Sequence, residues 1–256
     1  MQLSLLFVSV HSFASVSNWS GFYLGGNVGE SIDSTNAQTS MYSDGGVAAA
    51  DYVTAFNAAG NQLLDFNNFI AGVQAGYNYQ LNNWVIGLET NYDPSTQATA
   101  SQTSWVSGQV TGAYAGNGVT SIEQSIYQNW NFTVRSRIGY VVSHFLLYAT
   151  GGFALADVND TSYTNWNSTL GYFNNVNQTA SVLPGWAAGA GIEWKITPQH
   201  WSLNAQYLYE GFEHINNTTL LNASPANLIE PDPNASVSQK DIFNSNVLTV
   251  GINYFF

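Results

Sequence analysis

The chain has 256 residues, of which 45% are apolar, 14% aromatic and only 8% charged, and its formal net charge is −12. Ordinary soluble domains carry about 25% charged residues, and disordered chains contain few aromatics, so this composition fits neither class. With only four Lys or Arg residues, the chain lacks the cations that bind nucleic-acid phosphates. No apolar run approaches the ~20 residues of a membrane-spanning helix, and without cysteine there is no thiol chemistry.

The first fourteen residues, MQLSLLFVSVHSFA, are expected to be the end of a truncated secretory signal peptide. Leu3–Val10 is a short apolar stretch, and Ser12-x-Ala14 resembles a small-residue cleavage site. The usual positive segment before the apolar stretch is missing, so the start is either truncated or misassigned. An apolar first strand is the alternative. Residues 15–256 are expected to form a single domain.

Eight segments of about ten residues alternate between apolar and polar side chains, which is typical of strands with one apolar face. They are Trp19–Glu30, Phe69–Leu81, Trp84–Tyr92, Trp130–Val141, Phe145–Ala156, Gly185–Ile196, Trp201–Glu210 and Val247–Phe256. A ten-residue strand at ~3.3 Å per residue, tilted by ~40°, rises about 25 Å, which is the height of the apolar band on membrane barrels.

The connections between these segments alternate between short and long. Residues 82–83, 142–144 and 197–200 form tight turns, whereas residues 31–68, 93–129, 157–184 and 211–246 are long and rich in Asn, Ser, Thr, Gly and Asp. Such alternation is typical of barrels whose two ends face different compartments. The sequence therefore predicts an all-β, eight-stranded antiparallel up-and-down transmembrane β-barrel. Its four long, structureless loops would be extracellular, and its short turns and both termini periplasmic.

Six strand charges fall on the side opposite to the apolar face. They are Glu89, Arg135, Arg137, Glu193, Lys195 and Glu210. A cation facing lipid at mid-bilayer would cost ~2–4 kcal/mol, so we expect all six inside the barrel, either as a pore lining or as a plug of paired charges. An eight-stranded barrel has an interior just wide enough for side chains, which favours the plug.

Three polar residues, Gln74, Tyr148 and Gln206, share the inward parity and are expected to complete the hydrogen bonds of these charges. Glu30 instead has the parity of the apolar face. We expect it above the apolar band or beyond a bulge at Gly25-Gly26.

The segments WSGFYLGGNVG, GVQAGYNYQ, VIGLE, TVRSRIGY, LYATGGFA, GWAAGAGIEWKI, LNAQYLY and VGINYFF resemble, in order, the strands of small Gram-negative outer-membrane surface antigens. These are the opacity-type and OmpA-like barrels of the porin family. The resemblance implies an integral protein of the bacterial outer membrane, in contact with lipid and lipopolysaccharide. It also implies that Phe256, with Ile252 and Tyr254 on the same face, is the signal read by the barrel-assembly machinery.

Candidate catalytic groups are few. His11 lies in the expected signal peptide, and His144 and His200 lie in tight turns. His214, with Glu213 or Asp241 nearby in the chain, is the remaining candidate, and loop residues of this kind are usually bystanders. We therefore expect no enzyme activity.

No metal-ligand spacing occurs in the sequence. Asp232 and Asp241 could hold a divalent cation weakly, but Pro231-Asp232-Pro233 is more typical of a turn. We expect no cofactor and no metal. Some relatives bind haemin, and the loop residues that could ligate its iron here are Met41, Tyr42, Tyr52 and His214.

The main hypothesis is a non-enzymatic, monomeric outer-membrane barrel with an occluded interior and acidic exposed loops. Sixteen residues are acidic; thirteen of them lie outside the inward set, with Lys240 as the one base among them. Such loops would attract cations or a basic host surface. The alternatives are a small-solute porin, a surface receptor or adhesin that includes haemin binding, and a soluble lipocalin-like carrier. The carrier would be apolar inside and polar outside.

Overall fold

The computed structural model of the chain describes residues 17–42, 54, 57–58, 60–94, 99–110, 116–168, 171–196, 200–220 and 236–256. The expected signal peptide at residues 1–14 lies outside them, as do Tyr52 and Asp232. No helix in the described part of the chain is long and apolar enough to cross a membrane.

The described chain forms ten strands. They are β1 (Gly21–Tyr42), β2 (Asn61–Leu81), β3 (Trp84–Pro94), β4 (Thr99–Val110), β5 (Gly116–Val142), β6 (Phe145–Ser168), β7 (Gly171–Ile196), β8 (Trp201–Phe212), β9 (Ile215–Leu220) and β10 (Ser236–Phe255). Eight of them pair antiparallel in the order β1-β2-β3-β5-β6-β7-β8-β10, and β10 pairs back with β1. The predicted closed eight-stranded barrel is confirmed.

The two faces of the wall have opposite chemistry. On β3, the outward side chains of Trp84, Ile86 and Leu88 are more than half exposed, whereas Val85 and Glu89 between them are buried. A large exposed apolar surface is what a lipid-facing barrel requires. The interior holds buried Thr, Asn, Gln, Glu and Arg side chains, so the lipocalin-like alternative is wrong.

The strands continue far beyond the ten residues that the apolar alternation defines. The β1–β2 pairing runs without interruption from Gly21 opposite Asn78 to Gln38 opposite Asn61, and β4 and β9 lie wholly within long connections, paired with β5 and β10. Much of each long connection is therefore strand rather than structureless loop. The reason is that a β-ladder is held by backbone hydrogen bonds, and beyond the lipid its outward face no longer needs to be apolar.

Turn and bulge positions differ in part from expectation. Asn82 and Ser143 adopt positive φ angles of 55° and 58° in the two tight turns, a conformation in which Asn is enriched. The pairing of β1 is continuous across Gly25-Gly26 on both sides, so the suggested bulge is absent there. Glu30 is outward and exposed, opposite Phe69 and Leu248. A register shift lies instead between Gln128 and Trp130.

Candidate functional site in the barrel interior

Four of the six predicted inward charges form one ion-pair network in the middle of the barrel. Arg135 Nη2 lies 2.8 Å from Glu89 Oε1, and Arg137 Nη1 lies 3.2 Å from Glu89 Oε2. The second amino group of Arg137 reaches Glu193 Oε2 at 2.9 Å. Glu89 is the register partner of Arg135 across β3 and β5, and Glu193 comes from β7. Two acids and two bases thus neutralise each other where water is excluded.

Neutral side chains satisfy the remaining hydrogen-bond capacity of the network. The Tyr23 hydroxyl donates to Glu89 Oε2 at 2.6 Å and accepts from Arg137 Nη1 at 2.9 Å. Gln206 accepts from Arg135 at 3.1 Å and donates to the Tyr148 hydroxyl at 3.2 Å. Glu193 Oε1 accepts from Ser202 and Asn253, and Gln74 donates to Asn253. All three polar residues predicted to support the charges are in this network or in contact with it.

The other two predicted charges, Lys195 and Glu210, are also buried but lie apart from the ion pairs. Lys195 Nζ donates to the Asn18 carbonyl and lies 4.4 Å from the ring centroid of Phe255, at the end with the short turns. Glu210 accepts from Asn131 Nδ2 on the side of the long connections. The six charges therefore occupy three levels and do not form a single neutral cluster.

Aromatic side chains pack together inside the barrel at the short-turn end. Tyr23 and Trp19 contact Phe255, with ring centroids 5.2 and 5.9 Å apart, and belong to a buried apolar cluster. Glycines make the space for two of the buried rings. A Cβ at Gly76 would come within 2.4 Å of the Tyr23 hydroxyl, and one at Gly191 within 2.5 Å of the Tyr148 ring.

A cavity and a second apolar cluster lie inside the barrel toward the long connections. A narrow cavity lined by Asp93, Asn131 and Glu210 among others lies above the network. Beyond it, Phe212 and Phe243 stand 5.4 Å apart within a second buried apolar cluster. Polar and apolar layers therefore alternate along the barrel axis.

Four buried inward acids were not anticipated by the sequence analysis, namely Asp33, Asp93, Asp160 and Asp241. Asp33 accepts hydrogen bonds from Ser31 at 2.5 Å and Asn68 at 2.7 Å. The sequence places these acids in the long connections, because the apolar alternation covers only the membrane-facing part of each strand. Extending the same parity along each strand would have placed them inside.

The candidate catalytic and iron-binding residues do not assemble. His214 and Glu213 are exposed, whereas Asp241 is buried. Tyr42 is exposed too, and the side chain of Met41, like Tyr52, lies outside what the structure describes. Within the described ranges, no group of three or more His, Cys, Asp or Glu side chains is placed to hold a metal ion.

The three residues of the expected assembly signal lie on the outward face of β10 and just after it. Ile252 and Phe256 are exposed, and Tyr254 contacts Phe256 edge to face with centroids 5.2 Å apart. The backbone N–H of Phe256 donates to the Phe22 carbonyl at 3.0 Å. The ring of Phe256 therefore lies on the outer face and is mostly exposed.

Comparison with known proteins agrees with this architecture. Residues 2–256 match the family model described as outer membrane protein beta-barrel domain. The chain is 29% identical over 249 residues to the 31 kDa outer-membrane immunogenic protein of Brucella melitensis biotype 1, covering 93% of this chain and 84% of that one. Similar solved structures include OprG of Pseudomonas aeruginosa, with 13% identity, a TM-score of 0.47 and coverage of 93% and 96%. Another is the protease OmpT of Escherichia coli, with 10% identity, a TM-score of 0.40 and coverage of 92% and 97%.

Proposed function

Because the chain belongs to the outer membrane protein β-barrel family and lies in the bacterial outer membrane, we propose that it is a non-enzymatic structural barrel closed to solutes. In this proposal, its biological role lies with the surface that the long-connection end exposes. The observation that carries the closed interior is the set of side chains that bridge non-adjacent strands across the lumen.

These bridges leave little room for a water path. Arg137 on β5 reaches Glu193 on β7, and Tyr23 on β1 reaches Glu89 on β3. Gln206 on β8 reaches Arg135 on β5, three strands away around the ring. Breaking such contacts to admit a solute would leave buried charges without partners, which costs several kcal/mol. The bridging side chains thus support a plug over a pore.

A surface-antigen role is supported by the outer part of the barrel. The relative in Brucella melitensis is named an immunogenic protein. The end of the barrel with the long connections displays exposed acids, among them Asp65 on β2 and Glu213 between β8 and β9. Such a surface would favour cationic or basic partners. In the same proposal the barrel is a monomer, contacts lipopolysaccharide, and is inserted by the assembly machinery that reads Phe256.

Single-channel conductance of the refolded chain in a planar bilayer tests the closed interior. We expect no steady conductance steps from a sample whose folding is verified by its mobility shift on an unheated gel. Reproducible steps that change size in Arg137→Gln would instead establish the small-solute porin. Glu30→Gln, at an outward-facing position on β1, is the matched control and should leave any conductance unchanged.

A further inference from the structure

Two buried aspartates from different strands meet inside the extracellular part of the barrel. Asp160 on β6 is 3% exposed and Asp241 on β10 is 1% exposed. Gln239 Nε2 donates to Oδ2 of both carboxyl groups, at 2.5 and 2.9 Å. Because β6 and β10 are three strands apart in the ring, this contact crosses the lumen.

A second amide reaches the same layer from the opposite wall. Gln124 on β5 is fully buried, and its Nε2 donates to Thr39 Oγ1 on β1 at 2.7 Å. Thr39 is the register partner of Gln239, so the Gln124 amide lies at the height of the two carboxyl groups. Four strands of the ring thus contribute polar side chains to one cross-section, which we call the Asp160–Asp241 layer.

The Asp160–Asp241 layer has acceptor oxygens without donors. Oδ1 of Asp160, Oδ1 of Asp241 and Oε1 of Gln124 are buried and accept from no described donor. The two carboxyl groups also contact each other within hydrogen-bond reach, and the Gln38 backbone N–H donates to Asp241. The described side chains that face the layer from β1, β6 and β10 are neutral, namely Thr39, Ser162 and Gln239. Lys240 is exposed on the other face of β10, so no described base neutralises the pair.

Two adjacent, buried carboxylates without a neighbouring base lower the stability of the folded state when both are ionised. Burial raises the pKa of both Asp160 and Asp241, and the nearby Asp160 charge raises the pKa of Asp241 further. A shared proton would neutralise part of this charge, but it would leave the Gln124 carbonyl oxygen without a partner. A cation would use all three oxygens at once.

We propose that the Asp160–Asp241 layer binds one Ca²⁺ ion. The two carboxylates match its charge, and three unpartnered oxygens from three strands supply part of its shell. Ca²⁺ accepts six to eight oxygen ligands, amide carbonyls included, in flexible geometry, whereas Mg²⁺ demands a near-octahedral shell and retains several waters. The bound ion would clamp β5, β6 and β10 together above the membrane. This site is separate from the Glu89 network and does not depend on whether the barrel conducts.

Isothermal titration calorimetry tests the site. Calcium is titrated at pH 8 into the refolded full-length chain in detergent micelles. We expect one saturable site per chain, with at least tenfold weaker binding in Asp241→Asn and several-fold weaker binding in Gln124→Met. Binding should weaken as the pH falls toward 6, since protons compete for carboxyl groups of raised pKa. Mg²⁺ should bind at least tenfold more weakly than Ca²⁺.

Asp65→Asn is the matched control. It removes one negative charge, as Asp241→Asn does, but from a residue that is exposed on the outer face of β2. It should retain wild-type affinity. Asp241→Asn removes a repulsion and is expected to fold, which the mobility shift on an unheated gel verifies, and Asp160→Asn provides a second variant. The proposal is overturned if the wild type shows no saturable calcium binding, or if the Asp241 and Asp65 variants lose equal affinity.

Discussion

At the scale of single residues, Glu89 is the hub of the interior. Its two carboxylate oxygens accept from both arginines and from Tyr23, and the side chain is 3% exposed. Each partner has other contacts, but no other carboxylate pairs with Arg135 in the described part of the chain. A buried ion pair contributes little net energy when intact, yet its disruption is costly.

Glu89→Ala should therefore lower the free energy of unfolding by about 3–5 kcal/mol, because it leaves the Arg135 guanidinium buried without a counter-charge. The measurement is urea unfolding in lipid vesicles, followed by tryptophan fluorescence. Asp65→Ala, at an exposed position, should change the free energy by no more than about 0.5 kcal/mol. A Glu89→Ala barrel as stable as the wild type would show that the aromatic plug, and not the ion pairs, holds the interior together.

At the scale of the strand, the sequence predicts the part of each element that contacts lipid. Trp84, Ile86 and Leu88 alternate with inward residues because one face is solvated by hydrocarbon, and this pattern is visible in the order of residues alone. Beyond the lipid, both faces become polar and the pattern disappears, although the ladder continues. Asp33 and Asp241 were misassigned for this reason. The partner of Asp241 could not be predicted at all, since pairing it with Asp160 requires knowing that β6 and β10 face each other across the ring.

The Asp160–Asp241 pair predicts how the stability of the extracellular half of the barrel changes with pH. Burial raises the pKa of Asp160 and Asp241 in the folded state, so the folded chain binds protons more tightly than the unfolded chain. The contribution of the pair to stability is then most favourable below the usual aspartate pKa of ~3.9 and is lost as the pH rises through the raised values.

Urea unfolding of the wild type and of Asp241→Asn at pH 5 and pH 8, with a chelator present, measures this effect. We expect Asp241→Asn to be more stable than the wild type at pH 8, with a smaller difference at pH 5. Equal differences at the two pH values would mean that the pair does not titrate in this range.

At the scale of the whole molecule, inward charges are sorted along the barrel axis. The three buried bases, Arg135, Arg137 and Lys195, lie in the middle of the barrel or at its short-turn end, whereas the acids without an ion-pair partner lie toward the long connections. The periplasmic half is thus neutralised and packed with aromatics. In the half toward the long connections, the buried acids have no ion-pair partner among the described residues, and the proposed Asp160–Asp241 cation site lies in this half.

Phe255 and Phe256 have different surroundings, so substituting each one should distinguish an effect on folding from an effect on assembly in the cell. Phe255 is 3% exposed and packs on Trp19 and Tyr23, so Phe255→Ala should cost about 3–5 kcal/mol in vesicles. Phe256 is 75% exposed, and its backbone hydrogen bond to Phe22 does not depend on its ring. Phe256→Ala should therefore cost about 1 kcal/mol or less in vitro, mainly through the lost contact with Tyr254.

In cells, Phe256→Ala should have the larger effect on the amount of folded barrel if the assembly machinery reads Phe256. The fraction of chain that shifts mobility on unheated gels of outer-membrane preparations should fall several-fold in Phe256→Ala, despite its near-normal stability in vesicles. Phe256→Tyr keeps an aromatic ring and should restore assembly. Wild-type amounts of folded Phe256→Ala in the outer membrane would remove the recognition role and leave Phe256 as a lipid-facing residue that ends the closing strand.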